Sequence, residues 1–121
     1  MDADHRGELR EALAEIDTAT RENVARSQEI QMRVEWLIES LDNGSDITEI
    51  AENEPKPKIV EMITTNIETL QSIGSQVRQA EARALRAEGA TMEWIADLFG
   101  VTRQRISAIL RQGNDQGNLR T

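Results

Sequence analysis

Between Thr102 and Arg111 the chain gathers Thr102, Arg103, Gln104, Arg105, Ser107, Ala108 and Arg111. On a helix, Arg103, Gln104, Ser107, Ala108 and Arg111 share the outward face set by the 3.6-residue period. Arginine can bond in pairs to a guanine edge and glutamine to an adenine edge. Alanine can touch a thymine methyl, and serine tolerates base or phosphate. Thr102 opens the segment, where its hydroxyl and the free amides of a helix start suit a phosphate. Arg105 lies to the side and fits a phosphate better than a base. This is the chemistry of recognition.

The rest of the sequence offers little else of a chemical kind. There is no cysteine, which excludes disulfides and thiolate metal sites. A lone histidine, His5, builds neither a metal centre nor a proton relay by itself. The sequence has no phosphate-cradling glycine loop, and its carboxylates fall at solvent-facing positions of helical repeats. An enzyme is therefore not expected, no cofactor or metal is implied, and a narrow helical stripe leaves little room for a small-molecule pocket. The acidic start lacks the apolar core of a signal peptide, and apolar runs fall short of a membrane span. The expected setting is cytoplasmic and nucleoid-associated, with no membrane partner.

Three short helices are expected to position the recognition residues. "QVRQAEARALRAE" (76–88) ends at Gly89, Thr91 caps "MEWIADLF" (92–99), and Thr102 caps "RQRISAILR" (103–111). Gly100 and Val101 make the corner, where glycine can adopt a left-handed backbone. Ala96 is small where two helices would cross. Ile95, Leu98, Ile106 and Ile109 or Leu110 are expected to supply the buried faces, with Leu85 completing the core. Two helices joined by a short glycine-containing turn are the local signature of a helix-turn-helix.

Residues 90–111, "ATMEWIADLFGVTRQRISAILR", resemble the helix-turn-helix of bacterial transcriptional regulators. They are particularly similar to the promoter-reading motif in the fourth conserved region of sigma factors, where a "VTR-R-I" run opens the recognition helix. The resemblance implies that Thr102, Arg103, Gln104, Ser107, Ala108 and Arg111 meet DNA in the major groove, with Gln104 and Arg103 as principal base readers. It covers 22 residues, or about 36 with the helix from 76, and does not extend to the N-terminal part. Trp94 stands where such motifs often carry a polar residue, and is expected either to pack on the hairpin or to flank the DNA backbone.

The first two thirds read as a scaffold. Leu9, Ile16, Asn23, Ile30 and Leu37 form one heptad row, and Leu13, Thr20, Ser27, Val34 and Leu41 form another four residues on. Together they predict a helix from about 7 to 41, stopped by "DNGSD", with Gly44 as stop and Ser45 or Asp46 as the next cap. Residues 47–53 can lay Ile47 and Ile50 on the core. "EPKPK" breaks the chain, and Pro57 suits the first turn of the next helix. Ile59, Asn66, Ile73 and Ala80, with Ile63, Leu70, Val77 and Ala84, continue the pattern. Folding back antiparallel would pair Leu37 with Ile63, Ile30 with Leu70 and Ile16 with Ala84. The polar interruption at Thr20, Asn23 and Ser27 reads either as a solvated layer or as one that specifies register. Gly74 marks a candidate hinge, with Ser75 as a new cap.

The expected fold is all-α: a long antiparallel helical hairpin or coiled coil over 1–75, a trihelical helix-turn-helix module over 76–112, and a flexible tail over 113–121. Charge divides along the same line. The net charge is −8, but residues 1–75 carry 7 Arg/Lys against 17 Asp/Glu, and residues 76–121 carry 7 Arg against 5 Asp/Glu. Any phosphate-facing surface is thus expected in the last third. The resulting expectation is a small dimeric regulator of transcription that binds double-stranded DNA, a homodimer through its N-terminal helices. The alternative is a protein-interaction adaptor, in which the acidic hairpin binds RNA polymerase or another regulator.

Overall fold

An alanine-, leucine- and glutamate-rich chain with two closely spaced prolines has few points at which a helix must stop. The computed structural model describes residues 4–119, with side chains through 112, and among these the secondary structure is entirely helical. The helices are α1 (His5–Asp42), α2 (Ile47–Asn53), α3 (Ile59–Ala87), α4 (Met92–Phe99) and α5 (Arg103–Leu119). Glycines mark three of the ends, because Gly44, Gly89 and Gly100 adopt positive φ and a side chain there would be strained. Gly74, by contrast, lies inside α3, which runs without a break past Ser75. One helical glycine costs about 1 kcal/mol, too little to interrupt a ladder of this length, so no new helix starts with Ser75 as its cap. No described helix is long and apolar enough to cross a membrane.

The chain forms two compact units, residues 18–71 and residues 1–17 with 72–121, so α1 and α3 each contribute to both. In the 18–71 unit Ala19, Asn23, Arg26, Ile30, Arg33, Leu37 and Ser40 of α1 are buried or half-buried in alternating steps of four and three, and Thr20, beside Ala19, is half-buried as well. Ile59, Met62, Asn66 and Thr69 do the same on α3. The other unit repeats the pattern with His5, Leu9, Ala12 and Ile16 on α1, and Ile73, Gln76, Ala80 and Arg83 on α3. The expected row from Leu9 to Leu37 lies on this seam. Of its companion only Thr20 is half-buried; Leu13, Ser27, Val34 and Leu41 are exposed, and the seam is completed by Ala12, Ala19, Arg26, Arg33 and Ser40. Arginine serves at such a place because its apolar stem packs while its head finds acceptors.

The polar interruption specifies register. Asn23 is 7 % exposed, and its Nδ2 donates to the Asn66 carbonyl at 3.2 Å. Arg26 Nη1 donates to Asn23 Oδ1 at 3.2 Å and to Asn66 Oδ1 at 2.9 Å. Asn66 Nδ2 donates to Ser27 Oγ. Asn66 therefore meets Arg26, whereas the expected pairing would set it beside Val34, eight residues further along α1. In the other unit Arg83 meets Glu8 at 3.3 Å, again displaced from the expected pairing of Ile16 with Ala84. The physical reason is that a slide toward the apolar register would leave these amide and guanidinium groups without partners, and each such group costs about 1–3 kcal/mol when buried. A double-mutant cycle on Arg26→Ala and Asn66→Ala is expected to return about 0.5–1.5 kcal/mol of coupling in urea melts. Additive losses would mean that the contact is not formed in solution.

At the turn between α2 and α3, Ile50 is buried but Ile47 is 75 % exposed, so only one of the two expected isoleucines reaches the core. They lie three apart on a helix of seven residues, and so short an element presents a single buried edge. Asp46 occupies the N-cap of α2 without a side-chain hydrogen bond. Glu54 performs that service for α3: its Oε2 accepts from the Ile59 amide at 2.7 Å and from Arg33 Nη1 at 2.9 Å. The same Arg33 nitrogen reaches the Pro55 and Pro57 carbonyls at 2.9 and 3.0 Å.

Candidate nucleic-acid interface

The corner between α4 and α5 is built from local capping. Thr91 Oγ1 accepts from the Trp94 amide at 3.1 Å. Gly100, at φ 69°, closes α4 by donating to the Ala96 and Asp97 carbonyls, and the Val101 amide returns to Ala96 at 3.0 Å. Thr102 Oγ1 then accepts from the Arg105 amide at 3.1 Å, capping α5. A hydroxyl so engaged can still donate its own proton, so Thr102 keeps one hydrogen bond to offer an anion.

Beneath the corner lies one apolar cluster: Ala82 from α3, Ile95 and Ala96 from α4, Ile106 and Ile109 from α5. Leu85, Ala90, Met92, Phe99, Val101 and Leu110 pack around it. Ile95, Ala96, Val101, Ile106, Ile109 and Leu85 thus take the places expected of them. Leu98 does not, being 54 % exposed. The buried side of α4 is the Met92, Ile95, Ala96 and Phe99 edge, and a residue three places after Ile95 turns away from its centre. Trp94 lies on the same outward side as Leu98, at 52 % exposure.

Burying Ile106 and Ile109 fixes what α5 presents on its other side. Thr102, Arg103, Gln104, Arg105 and Arg111 are exposed, while Ser107 and Ala108 are half-buried. Gln104 and Arg111, seven residues apart, stand opposite the isoleucine edge, with Ser107 and Ala108 flanking them. Arg105 lies to one side of that face and Arg103 to the other. Gln104, Ser107, Ala108 and Arg111 therefore share one short helix face, with Arg103 and Arg105 on its two margins and the isoleucine core directly behind it.

One interaction escaped the sequence: Arg103 Nη1 lies 2.8 Å from Glu93 Oε1, across the corner, with both side chains about two-thirds exposed. The two residues are ten apart on different helices, so helical spacing within either element carries no sign of them. An exposed pair of this kind contributes about 0.2–1 kcal/mol, which a stronger anion can readily displace.

No family model, curated protein or solved structure matches this chain. The site's chemistry therefore stands on its own geometry. It contains hydrogen-bond donors and acceptors on a convex helix. Among the described residues no group of three His, Cys, Asp or Glu side chains is placed to hold a metal ion.

Proposed function

We propose that the protein is a sequence-specific DNA-binding regulator, in which α4, the Gly100 corner and α5 act as a helix-turn-helix and α5 enters the major groove. The observation that carries this reading is the division of α5 into a buried isoleucine edge and an exposed face bearing Gln104 and Arg111. In this reading Gln104 and Arg111 read bases, Arg103 reads a base after leaving Glu93, and Arg105 and the capped start at Thr102 hold phosphates. Ser107 and Ala108 set the depth of approach. The protein works as a homodimer, its α1 and α3 serving as an antiparallel coiled-coil scaffold. Half-sites then lie about 34 Å apart, or a multiple of that, on one face of the duplex. The acidic remainder repels DNA and confines contact to α5 and its surroundings.

The test is selection from a random duplex pool at about 100 mM salt, where phosphate contacts alone do not mask base reading. The Arg103→Ala/Gln104→Ala variant is selected in parallel. The wild type is expected to enrich a two-fold symmetric site, and the variant to lose most of that enrichment, each bidentate base contact being worth about 1–3 kcal/mol. Enrichment of no sequence by either protein counts against base reading and turns attention to protein partners of the acidic helices.

A further inference from the structure

A second apolar stripe runs beside the seam in the 18–71 unit. On α1, Val34, Ile38 and Leu41 are exposed; Val34 and Leu41 stand four places after Ile30 and Leu37 of the seam. On α3, Val60, Ile63, Ile67 and Leu70 are exposed, with Ile63 and Leu70 four places after Ile59 and Asn66. The exposures run from 37 to 69 %, and on each helix the residues again alternate steps of three and four. Two antiparallel helices are related by a two-fold axis perpendicular to their common plane, which leaves each face of the pair on its own side. Equal offsets from the seam therefore put both stripes on one face. In the register set by Asn66 and Arg26, the α3 stripe lies level with residues 22–32 of α1 and the α1 stripe lies beyond the start of α3, so the 18–71 unit has a staggered apolar face along one side of the pair.

We infer that this face is the interface with a second copy of the chain, closing α1 and α3 of two protomers into a four-helix arrangement. Charge identifies the occupant. Residues 18–71 carry 5 Arg/Lys against 11 Asp/Glu, so two copies repel wherever carboxylates face one another. On this face they stand only along its edge, Glu35 three places before and Asp42 four places after Ile38. Glu61 and Glu68 of α3 stand next to Val60 and Ile67 in sequence but fall outside the stripe. The positions between the apolar residues are polar and uncharged, with Ser27 and Gln31 on α1. The seven exposed side chains offer roughly 650 Å² per copy, close to the ~800 Å² per partner of a stable specific interface. The stripe also keeps the heptad spacing that a pair of identical helices needs in order to interlock.

The inference deepens the dimeric reading above, yet it is tested separately from DNA binding. Sedimentation of the full chain at micromolar concentration is expected to give twice the 13.6 kDa protomer mass. The Ile38→Glu/Ile67→Glu variant is expected to sediment as a monomer, its dissociation constant raised at least 100-fold, with an unchanged helical circular dichroism spectrum. Because the chain has no cysteine, single-cysteine variants give a check that does not depend on the double variant folding. The alkylation rate of Ile67→Cys should fall at least tenfold as protein concentration rises, while Thr65→Cys, off the stripe, should react at a constant rate. A monomeric wild type, a double variant that still dimerises, or equal behaviour of the two cysteines overturns the interface. A monomer that still selects a DNA sequence removes the interface and spares the DNA reading. A dimer that selects none does the reverse.

Discussion

Ile106→Ala is expected to lower the free energy of unfolding by about 3 kcal/mol, within the range for large-to-small changes in a packed core. Ile106 is 0 % exposed and lies in the cluster that α5 shares with Ala82, Ile95, Ala96 and Ile109. Truncation removes three carbons of apolar contact and leaves a void at the point where three helices converge. α4 and α5 cannot close it by sliding, because Gly100 and the Thr102 cap fix the corner between them. Chemical denaturation followed by circular dichroism gives the number. Leu98→Ala is the control. Its side chain is 54 % exposed, and its loss should fall near or below 1 kcal/mol, since about half of a leucine's transfer energy is already forgone. Equal losses at the two positions would contradict the packing of α4 described above. Under the proposed DNA reading the Ile106 variant should also lose sequence selection, though Gln104 and Arg111 are intact, because the buried edge of α5 positions its exposed face.

Removal of Arg33 should have the second-largest effect, about 2–3 kcal/mol, the range for breaking charge-assisted hydrogen bonds in a shielded setting. One guanidinium nitrogen bonds Glu54 and two carbonyls, those of Pro55 and Pro57. The ion pair is shielded, with side-chain exposures of 15 and 10 %. Arg33→Ala therefore leaves a carboxylate without its cation and frees the connection into α3. Urea melts measure the loss, and Arg33→Lys should recover part of it, since an ammonium also carries three donors on one nitrogen but must desolvate a more strongly hydrated charge to place them.

The same cluster gives the protein an acid dependence. The Ile59 amide, bonding the carboxylate, is the main cause that holds Glu54 below its ordinary value of 4.5; burial opposes the shift, and Arg33 and Lys58 assist it. A carboxyl whose folded-state pKa is depressed contributes stability that is fully present above the unfolded value. That stability is lost as pH falls through 4.5 toward the folded value. Melts of the wild type should weaken over that window. Glu54→Gln should be less stable at neutral pH and flatter in acid. An unchanged acid slope in this variant would assign the effect to other carboxylates.

How much of this could be read from the sequence depends on whether the signal was local. Helix ends were legible at Gly44, Gly89 and Gly100, where backbone conformation dictates residue type. So was the composition of the α4–α5 core, except for Leu98, because small, branched and glycine positions follow one another at fixed spacing. The seam between α1 and α3 was only half legible. Two rows flank the line from Leu9 to Leu37, and the more apolar of them, with Leu13, Val34 and Leu41, is the exposed one. Hydrophobicity favoured it; the hydrogen bonds of Arg26 and Arg33 decided for the other. The bonds they make to other elements join residues 21 to 40 positions apart, a range over which periodicity says nothing. The outward face of α5 was readable for the same reason as its core, whereas the Glu93 contact was not.

That contact alters what Arg103 can discriminate. A guanidinium surrounded only by water accepts any anion that approaches, and its choice among them is poor. Here a carboxylate already sits 2.8 Å away, so an incoming group gains the arginine only by exchange. Single phosphate oxygens met in passing must outcompete a resident acceptor of similar charge, whereas a base edge offering two acceptors in the plane of the fork gains by geometry. If α5 meets DNA as proposed, Glu93 would act as a built-in competitor, setting a threshold that weak and badly aligned contacts do not cross.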